Sequence, residues 1–373
     1  MINLAIVGTG TIAVSHVQAY MKFPQRCRIV ALCNDHPRKA EALKQKFKLD
    51  CDIYSDYKQM LDCRPDIQLV DICTPPFVHA EMAIASMNAG RHVVVEKPMA
   101  VSLAECDAML EAEKRNKVVL SCIAQNRFKN PVYKLKRVAD SGIAGKISCI
   151  NVKSYWWRDR NYYDLWWRGL WDKEGGGPTL NHAIHHIDIL NWIKGRLRLE
   201  VMAMLANVMH DNSELEDLSM AVLRYDDGTL AQVTSSVLHH GEEQGIELQC
   251  ARAKIALPWD VKAELGRPDA FPSEAGNKEL VKDINEFYNA LPELPYEGHT
   301  GQIDDILNAI EMGTRPMVTA EDGRRAIELI TAIYKSGLKK ELVKLPIDPE
   351  DEFYTFEGFL RNVIRFNEKK SLQ

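Results

Sequence analysis

No apolar stretch in the 373-residue sequence approaches the roughly 20 residues that a bilayer-spanning helix needs, so no membrane span is expected. The start, Met1 to Gly8, has neither the basic segment nor the cleavage site of a signal peptide. There is no C-x-x-C pair. The nine cysteines are odd in number and scattered, and several sit in apolar runs such as LVDIC, where a reduced thiol behaves as a small hydrophobe. A disulfide framework is therefore not expected, and a cytoplasmic location is. There is no basic excess either: 47 Lys and Arg stand against 52 Asp and Glu, a net charge of −5. A general nucleic-acid binder needs the opposite balance, although a local basic pocket is compatible with these numbers. Neither nucleic acid nor membrane is an expected partner. Internal repeats and low-complexity segments are also missing.

What the sequence has is length and a globular composition, 46% hydrophobic and 27% charged, enough for two domains. In the first third, short apolar runs alternate with amphipathic ones. NLAIV (3–7), RIVALC (28–33), LVDICTPP (69–76), HVVVEKP (92–98) and VVLSCIAQ (118–125) read as strands. Helices are predicted after the glycine turn to about residue 24, over 37–47 with an early proline, over 77–90 ending in glycine, and over 102–116 with serine as N-cap. Continuously apolar strands between helices imply a parallel sheet covered on both faces, and right-handed crossovers make it doubly wound. Beyond about residue 145 the rhythm changes to strands such as ISCINVKSYWW, LEVMAMLANV, DLSMAVLRY, TLAQVTSSV and IELQCARAKIAL. DDGT (226–229) predicts a hairpin between two of them. Helices are predicted over 179–194, 278–290, 300–312 and 320–337, the last a candidate for packing back on the first domain. The expected fold is an α/β dinucleotide-binding domain over 1–128, followed by an α+β domain over 129–373 built on a large, mostly antiparallel sheet.

Gly8-x-Gly10-x-x-Ala13 lies directly after a strand and before a helix. The first glycine permits the tight turn, the second lets backbone approach a pyrophosphate, and a small third residue allows close helix packing. The ribose reader belongs at the end of the second strand, where Asn34 and Asp35 stand. Asp35 favours NAD, whereas Arg38 and Lys39 could accept a 2′-phosphate, so NAD is the expected cofactor and NADP the alternative.

Glu96-Lys97-Pro98 follows the fourth predicted strand. Thr74-Pro75-Pro76, His79 and Ala89-Gly90-Arg91-His92-Val93 precede it. With GTGTIA, QNR (125–127), GGGPTLNHAIHHID (175–188) and EDGRRAIELITAIYKS, this pattern resembles the glucose–fructose oxidoreductase / inositol dehydrogenase / rhizopine catabolism (Gfo/Idh/MocA) family along nearly the whole chain. The resemblance implies a Rossmann domain and an open-sheet domain that together oxidise or reduce a hydroxyl or carbonyl on a sugar, cyclitol or related molecule with NAD(P). It implies a cis Lys97–Pro98 bond, Lys97 beside the nicotinamide, and a homodimer or homotetramer. It also implies cofactor contacts from Gly8, Gly10, Thr11, Ile12, Asn34, Asp35, Thr74, Pro75, His79, Glu96, Lys97 and Gln125. Strand ends are where an open α/β sheet binds ligands, and a lysine of lowered pKa can take a hydroxyl proton, so Lys97 is the expected proton-transfer residue.

On a continuous helix from Asn181, that residue, His185 and Asp188 would lie within about 60° of arc. The family pattern carries a histidine where His185 stands and a carboxylate where this chain has Asn181. An amide can orient a hydroxyl but cannot act as a base, so the acid–base load falls on Lys97 and His185. Asp188 either holds His185 or packs at a helix end. The segment YWWRDRNYYDLWWRGLW (155–171) holds five tryptophans, three tyrosines and three arginines. Aromatic faces stack on sugar rings and arginines grip hydroxyls or carboxylates, which makes it a candidate substrate loop; an aromatic core edge or a subunit contact is the plainer alternative. The substrate candidates are Lys97, Arg127, Arg158, Tyr163, Arg168, Asn181 and His185, and His299 either closes the site or packs at a helix start. Two rival readings stand beside the dehydrogenase. One is a metal site on His182 and His186, although no third ligand is indicated and no metal is expected. The other is a non-redox use of bound NAD, in glycoside cleavage or nucleotide sensing.

Overall fold

The structure, a computed structural model, describes residues 1–195 and 198–369, which form two compact units. The first comprises Met1–Phe128, Pro295–Ile327 and Tyr354–Phe356; the second comprises Lys129–Leu294, Glu328–Phe353 and the residues from Glu357 onward. The first unit thus gathers two late segments that a single boundary at 128/129 would assign to the second.

In the first unit, β1 (Ile2–Val7), β2 (Cys27–Cys33), β3 (Asp52–Tyr54), β4 (Leu69–Ile72), β5 (His92–Val95) and β6 (Leu120–Cys122) form a sheet in the order β3-β2-β1-β4-β5-β6. Every neighbouring pair is parallel. Strand order reverses between β1 and β4, which puts a ligand crevice at their carboxyl ends. The short β3 carries too little apolar pattern to stand out in the sequence. Helix Thr11–Tyr20 buries Ala13, Val17, Ala19 and Tyr20, and Ile303, Ile306 and Leu307 of helix Gly298–Met312 join the same core. Arg26, paired with Asp304 and Glu311, reinforces that packing at the surface. Helix Ala320–Lys339 contributes its first turns to this unit, where a Cβ on Gly323 would come within 2.9 Å of Cys122 and Met99.

In the second unit, β7 (Ile147–Tyr155), β8 (Leu199–Ala206), β9 (Leu218–Tyr225), β10 (Leu230–Ser236), β11 (Gln244–Cys250), β12 (Lys254–Leu257), β13 (Asp260–Lys262) and β14 (Val343–Lys344) form one sheet in the order β13-β12-β11-β7-β10-β9-β8-β14. Only β7 and β10 pair in parallel. The predicted DDGT hairpin joins β9 to β10, with Gly228 at φ +85 where a left-handed residue is needed. Val201, Ala203, Ala221, Leu223 and Val233 are buried, while the intervening Met202, Met204, Met220 and Val222 are exposed.

The single helix expected over 179–194 is two helices, Pro178–Asn181 and Ile184–Lys194, with a turn at His182 and Ala183 between them. The N–H groups of both turn residues converge on the carbonyl of Pro178, at 3.0 and 2.8 Å, which closes the first helix. The Asn181 side-chain amide donates to Gly176 O at 2.7 Å. The shared face from Asn181 through His185 to Asp188 therefore does not exist as a helical stripe. His185 and Asp188 remain one turn apart on the second helix.

Candidate active site

The strand-end loops of the first unit build the nucleotide crevice. Gly8 adopts φ +90, and a Cβ there would lie 2.7 Å from the Cys73 carbonyl, so only glycine lets the loops after β1 and β4 approach this closely. Around Gly10 a Cβ would meet nothing within 4 Å. That glycine keeps space open above the loop and answers no packing need of the protein. Helix Thr11–Tyr20 begins with no side-chain cap and no acidic residue in its first turn, which leaves its leading N–H groups and dipole to an anion. Thr11 is exposed and Ile12 packs against the core. The buried Thr9 Oγ1 and Gln125 Oε1 have no hydrogen-bond partner within the protein. An open cradle, an uncapped helix start and two unanswered polar atoms suit a dinucleotide pyrophosphate and its flanking polar groups.

At the end of β2, Asn34 Oδ1 accepts the His36 N–H at 2.8 Å, so what Asn34 can offer a ribose is its NH2 donor. Asp35, Arg38 and Lys39 are exposed. After β4, Thr74 is half-buried and Pro75 exposed. The ring of His79, fully buried, lies between the Thr74 carbonyl at 2.7 Å and the Pro98 carbonyl at 2.9 Å, tying the loop after β4 to the turn that carries Lys97. Burial lowers the His79 pKa.

Lys97 stands two residues past the carboxyl end of β5, and its bond to Pro98 is cis. Its backbone N–H donates to Glu96 Oε2 at 3.0 Å. Glu96 Oε1 lies 2.9 Å from His16 Nε2, and His16 Nδ1 lies 2.7 Å from Asp71 Oδ2. His299 Nε2 is 3.6 Å from Glu96 Oε1, and its ring packs on that of His16. Burial works against a charge on both His16 and Glu96. For His16 the charge and hydrogen bond of Asp71 outweigh it and hold the imidazolium well above the usual histidine range. For Glu96 the hydrogen bond of His16 and the nearby His299 ring, with the charges of His16 and Lys97, hold the carboxyl well below its usual range. Sequence reasoning missed His16 and Asp71. The available signal was Asp71 itself, a charge within a continuously apolar strand, which cannot be buried without a partner.

Gln125 and Arg127 lie in a short 3-10 turn after β6. Arg127 is 1% exposed, donates to the Met317 carbonyl and lies 3.4 Å from Asp322, contacts of an internal tie.

In the second unit the aromatic segment divides. Tyr163 and Trp171 are core residues: Tyr163 packs on Tyr162 and His210, and Trp171 on Tyr334 and Phe359. Trp157 and Trp166 are exposed. Arg158 pairs with Glu242 and lies over Trp156 and Tyr162. Arg168 lies 4.1 and 4.3 Å from the rings of Tyr162 and Trp167 and pairs with the buried Glu174 at 2.6 Å. Glu174 Oε1 also accepts the Asn181 amide at 2.9 Å, so a carboxylate sits beside the position where the family pattern has one. Burial raises the Glu174 pKa although Arg168 opposes it. His185 is half-buried on the second helix, and Asp188, beyond it, is buried. His186 is pushed down to about 4 by burial, which makes it a neutral packing residue. Among the described residues, His182 and His186 belong to no group of three donors that could hold a metal; both such groups centre on His16, whose ring nitrogens each face a carboxylate.

A glycine turn at the switch point of a parallel sheet, followed by an open helix start, defines a dinucleotide-binding protein. Residues 2–123 match the profile of an oxidoreductase family with an NAD-binding Rossmann fold, and residues 132–256 match the Gfo/Idh/MocA C-terminal domain. The chain belongs to the Gfo/Idh/MocA family and is an NAD-dependent oxidoreductase. Its relatives include myo-inositol 2-dehydrogenase of Thermotoga maritima, 25% identical over 92% of this chain and 98% of that one. Another is 2,7-anhydro-N-acetylneuraminate hydratase of Mediterraneibacter gnavus, 25% identical over 92% and 96%. Among solved structures, the WlbA dehydrogenase of Bordetella pertussis in complex with NADH and UDP-GlcNAcA is 26% identical, with a TM-score of 0.78 over 93% of this chain and 98% of that one.

Proposed function

We propose that the enzyme moves hydride between NAD and a ring carbon bearing a hydroxyl or carbonyl on a sugar, cyclitol or glycoside. The observation that carries this is the placement of Lys97, just past the carboxyl end of β5, on a turn fixed by Glu96 and by His79. Bound NAD supplies the hydride acceptor. Lys97 takes the hydroxyl proton in oxidation and returns it in reduction, and His185 shares that load, with Asn181 orienting a hydroxyl. Gly8, Gly10, Thr11, Ile12, Asn34, Asp35, Thr74, Pro75 and Gln125 form the nucleotide cradle, and Arg158 and Arg168 shape the substrate side, while Tyr163, expected there, packs in the core. The relatives named for an inositol and for a nucleotide sugar support this substrate class.

A panel of sugars, cyclitols and glycosides with NAD and NADP, read by nicotinamide absorbance, tests the proposal. Lys97→Ala is expected to lower kcat by about 10²–10⁴-fold while NADH still binds. Full turnover in that variant overturns the role of Lys97. The relative named as a hydratase favours a second reading, transient oxidation with no net NADH. It is distinguished by product that forms without a lasting absorbance change. The exposed Met202, Met204, Met220 and Val222 support a homo-oligomer closed over the outer face of the second sheet, checked by sedimentation of a Met204→Glu variant. A cytoplasmic location is supported by nine cysteines that form no disulfide.

A further inference from the structure

The group behind Lys97 is larger than proton transfer to a lysine requires. Asp71 and Cys73 come from β4 and its loop, Glu96 and Lys97 from the turn after β5, and His299 from helix Gly298–Met312. His16 and Tyr20 come from the helix whose first turn faces the nucleotide cradle. His16 and Asp71 are inaccessible and Glu96 is 5% exposed. Asp71 Oδ2 and Glu96 Oε1 take the two ring nitrogens of His16, Asp71 Oδ1 takes the Cys73 thiol at 3.6 Å, and Glu96 Oε2 takes the Lys97 N–H. Two buried carboxylates thus share one cation, the His16 imidazolium, and Glu96 also takes the Lys97 backbone N–H.

This arrangement answers a difficulty in the chemistry. A lysine that accepts a proton must first be without one, and a bare carboxylate beside it stabilises the ammonium. Glu96 is such a carboxylate, and it is also what holds the Lys97 backbone. A second cation on the far oxygen of Glu96 keeps the hydrogen bond and removes much of the charge that Lys97 faces.

We propose that His16 is a positioning residue for Lys97: seated between Asp71 and Glu96, it clamps the Glu96 carboxylate against the Lys97 backbone and cancels much of that carboxylate's charge. The inference rests on Lys97 as the proton acceptor, and it runs from the helix that faces the nucleotide to the residue that moves the proton. Because His16 touches Lys97 through Glu96, its effect is smaller when Glu96 is neutral.

The test reads Lys97 in the nucleotide-free enzyme by NMR of ¹³C-methylated lysines, with its signal assigned by its absence in Lys97→Arg. The titration midpoint of Lys97 is expected to rise by about one pH unit in His16→Gln and to fall in Glu96→Gln. In the double variant His16→Gln adds less to the Glu96→Gln shift than it adds to the parent, as a residue acting in part through its neighbour requires. The acid limb of alcohol oxidation moves with the same signs. Thermal melts establish that each variant is folded. Should His16→Gln not fold, Asp71→Asn, which removes the charge that keeps His16 protonated, carries the test and is expected to raise the midpoint less. An unmoved or lowered midpoint in His16→Gln or in Asp71→Asn overturns the proposal, as does a His16→Gln effect that persists undiminished when it is combined with Glu96→Gln. If the midpoints move as expected while Lys97→Ala retains turnover, the clamp stands and the catalytic reading of Lys97 fails.

Discussion

Glu96 in the first unit and Glu216 in the second are both buried carboxylates, and their surroundings are opposite in kind. Glu96 faces an imidazolium and is held well below the usual carboxylate range. Glu216 accepts the N–H groups of Gly177 and Thr179 at 3.1 and 3.2 Å and the Tyr334 hydroxyl at 2.9 Å, all neutral donors. Burial pushes it up to about 7 in spite of them. Neutral donors can place a carboxylate without keeping it ionised, whereas a cation does both. The placement by Glu216 is tight: a Cβ on Gly177 would lie 2.1 Å from its carbonyl, and one on Gly176 would lie 2.2 Å from Tyr334 Oη. This glycine stretch leads into the helix that ends at Asn181.

The largest effect should come from stripping the cation from the first site. His16→Leu leaves two buried carboxylates without their partner and is expected to cost about 3–5 kcal/mol in chemical denaturation at neutral pH. A loss under about 1 kcal/mol would mean that His16 carries no charge there and that the contrast with Glu216 is empty. Next in size is a pH effect in the second unit. A carboxyl whose folded pKa is raised binds its proton more tightly in the folded state, so its contribution is present at low pH and is lost as pH rises from the ordinary 4.5 through about 7. Glu216 should therefore remove about 3 kcal/mol of stability over that interval, and Glu216→Gln should flatten the decline. A decline of equal size in the variant assigns it to other groups. The smallest effect on stability separates the two glycines of the nucleotide loop. Gly10→Ala, whose Cβ meets nothing, should leave the melting curve within about 0.5 kcal/mol of the parent yet weaken NADH binding in a fluorescence titration. Gly8→Ala should disturb both, and unchanged NADH affinity in Gly10→Ala would show that backbone approach at that loop is not needed.

The parallel sheet and the glycine turn were legible in the sequence because each depends on local pattern. Helices Pro37–Phe47 and Lys278–Ala290 end where proline, charge and periodicity place them. The place of Lys97 just past a strand end was legible from its neighbours. His16 was not, since its partners lie 55 and 80 residues away and a histidine on an apolar helix face looks like packing. The break at His182 and Ala183 was hidden for a different reason: it is set by the Pro178 carbonyl, which takes both turn N–H groups, and by the Asn181 amide, not by a glycine or proline at the break. The aromatic segment showed its composition but not its division. Tyr163 and Trp171 are buried while Trp166 is exposed, a difference that depends on His210, Tyr334 and Phe359, all distant in sequence.

Helix Gly298–Met312 has a consequence for how the protein is made. Ile303, Ile306 and Leu307 belong to the core beneath the glycine turn, and His299 on the same helix faces Glu96. During synthesis the six parallel strands leave the ribosome long before that helix does. Until it arrives, the apolar face of helix Thr11–Tyr20 lacks part of its cover, and the nascent nucleotide unit must wait, through the making of nearly the whole second sheet, for the segment that finishes it.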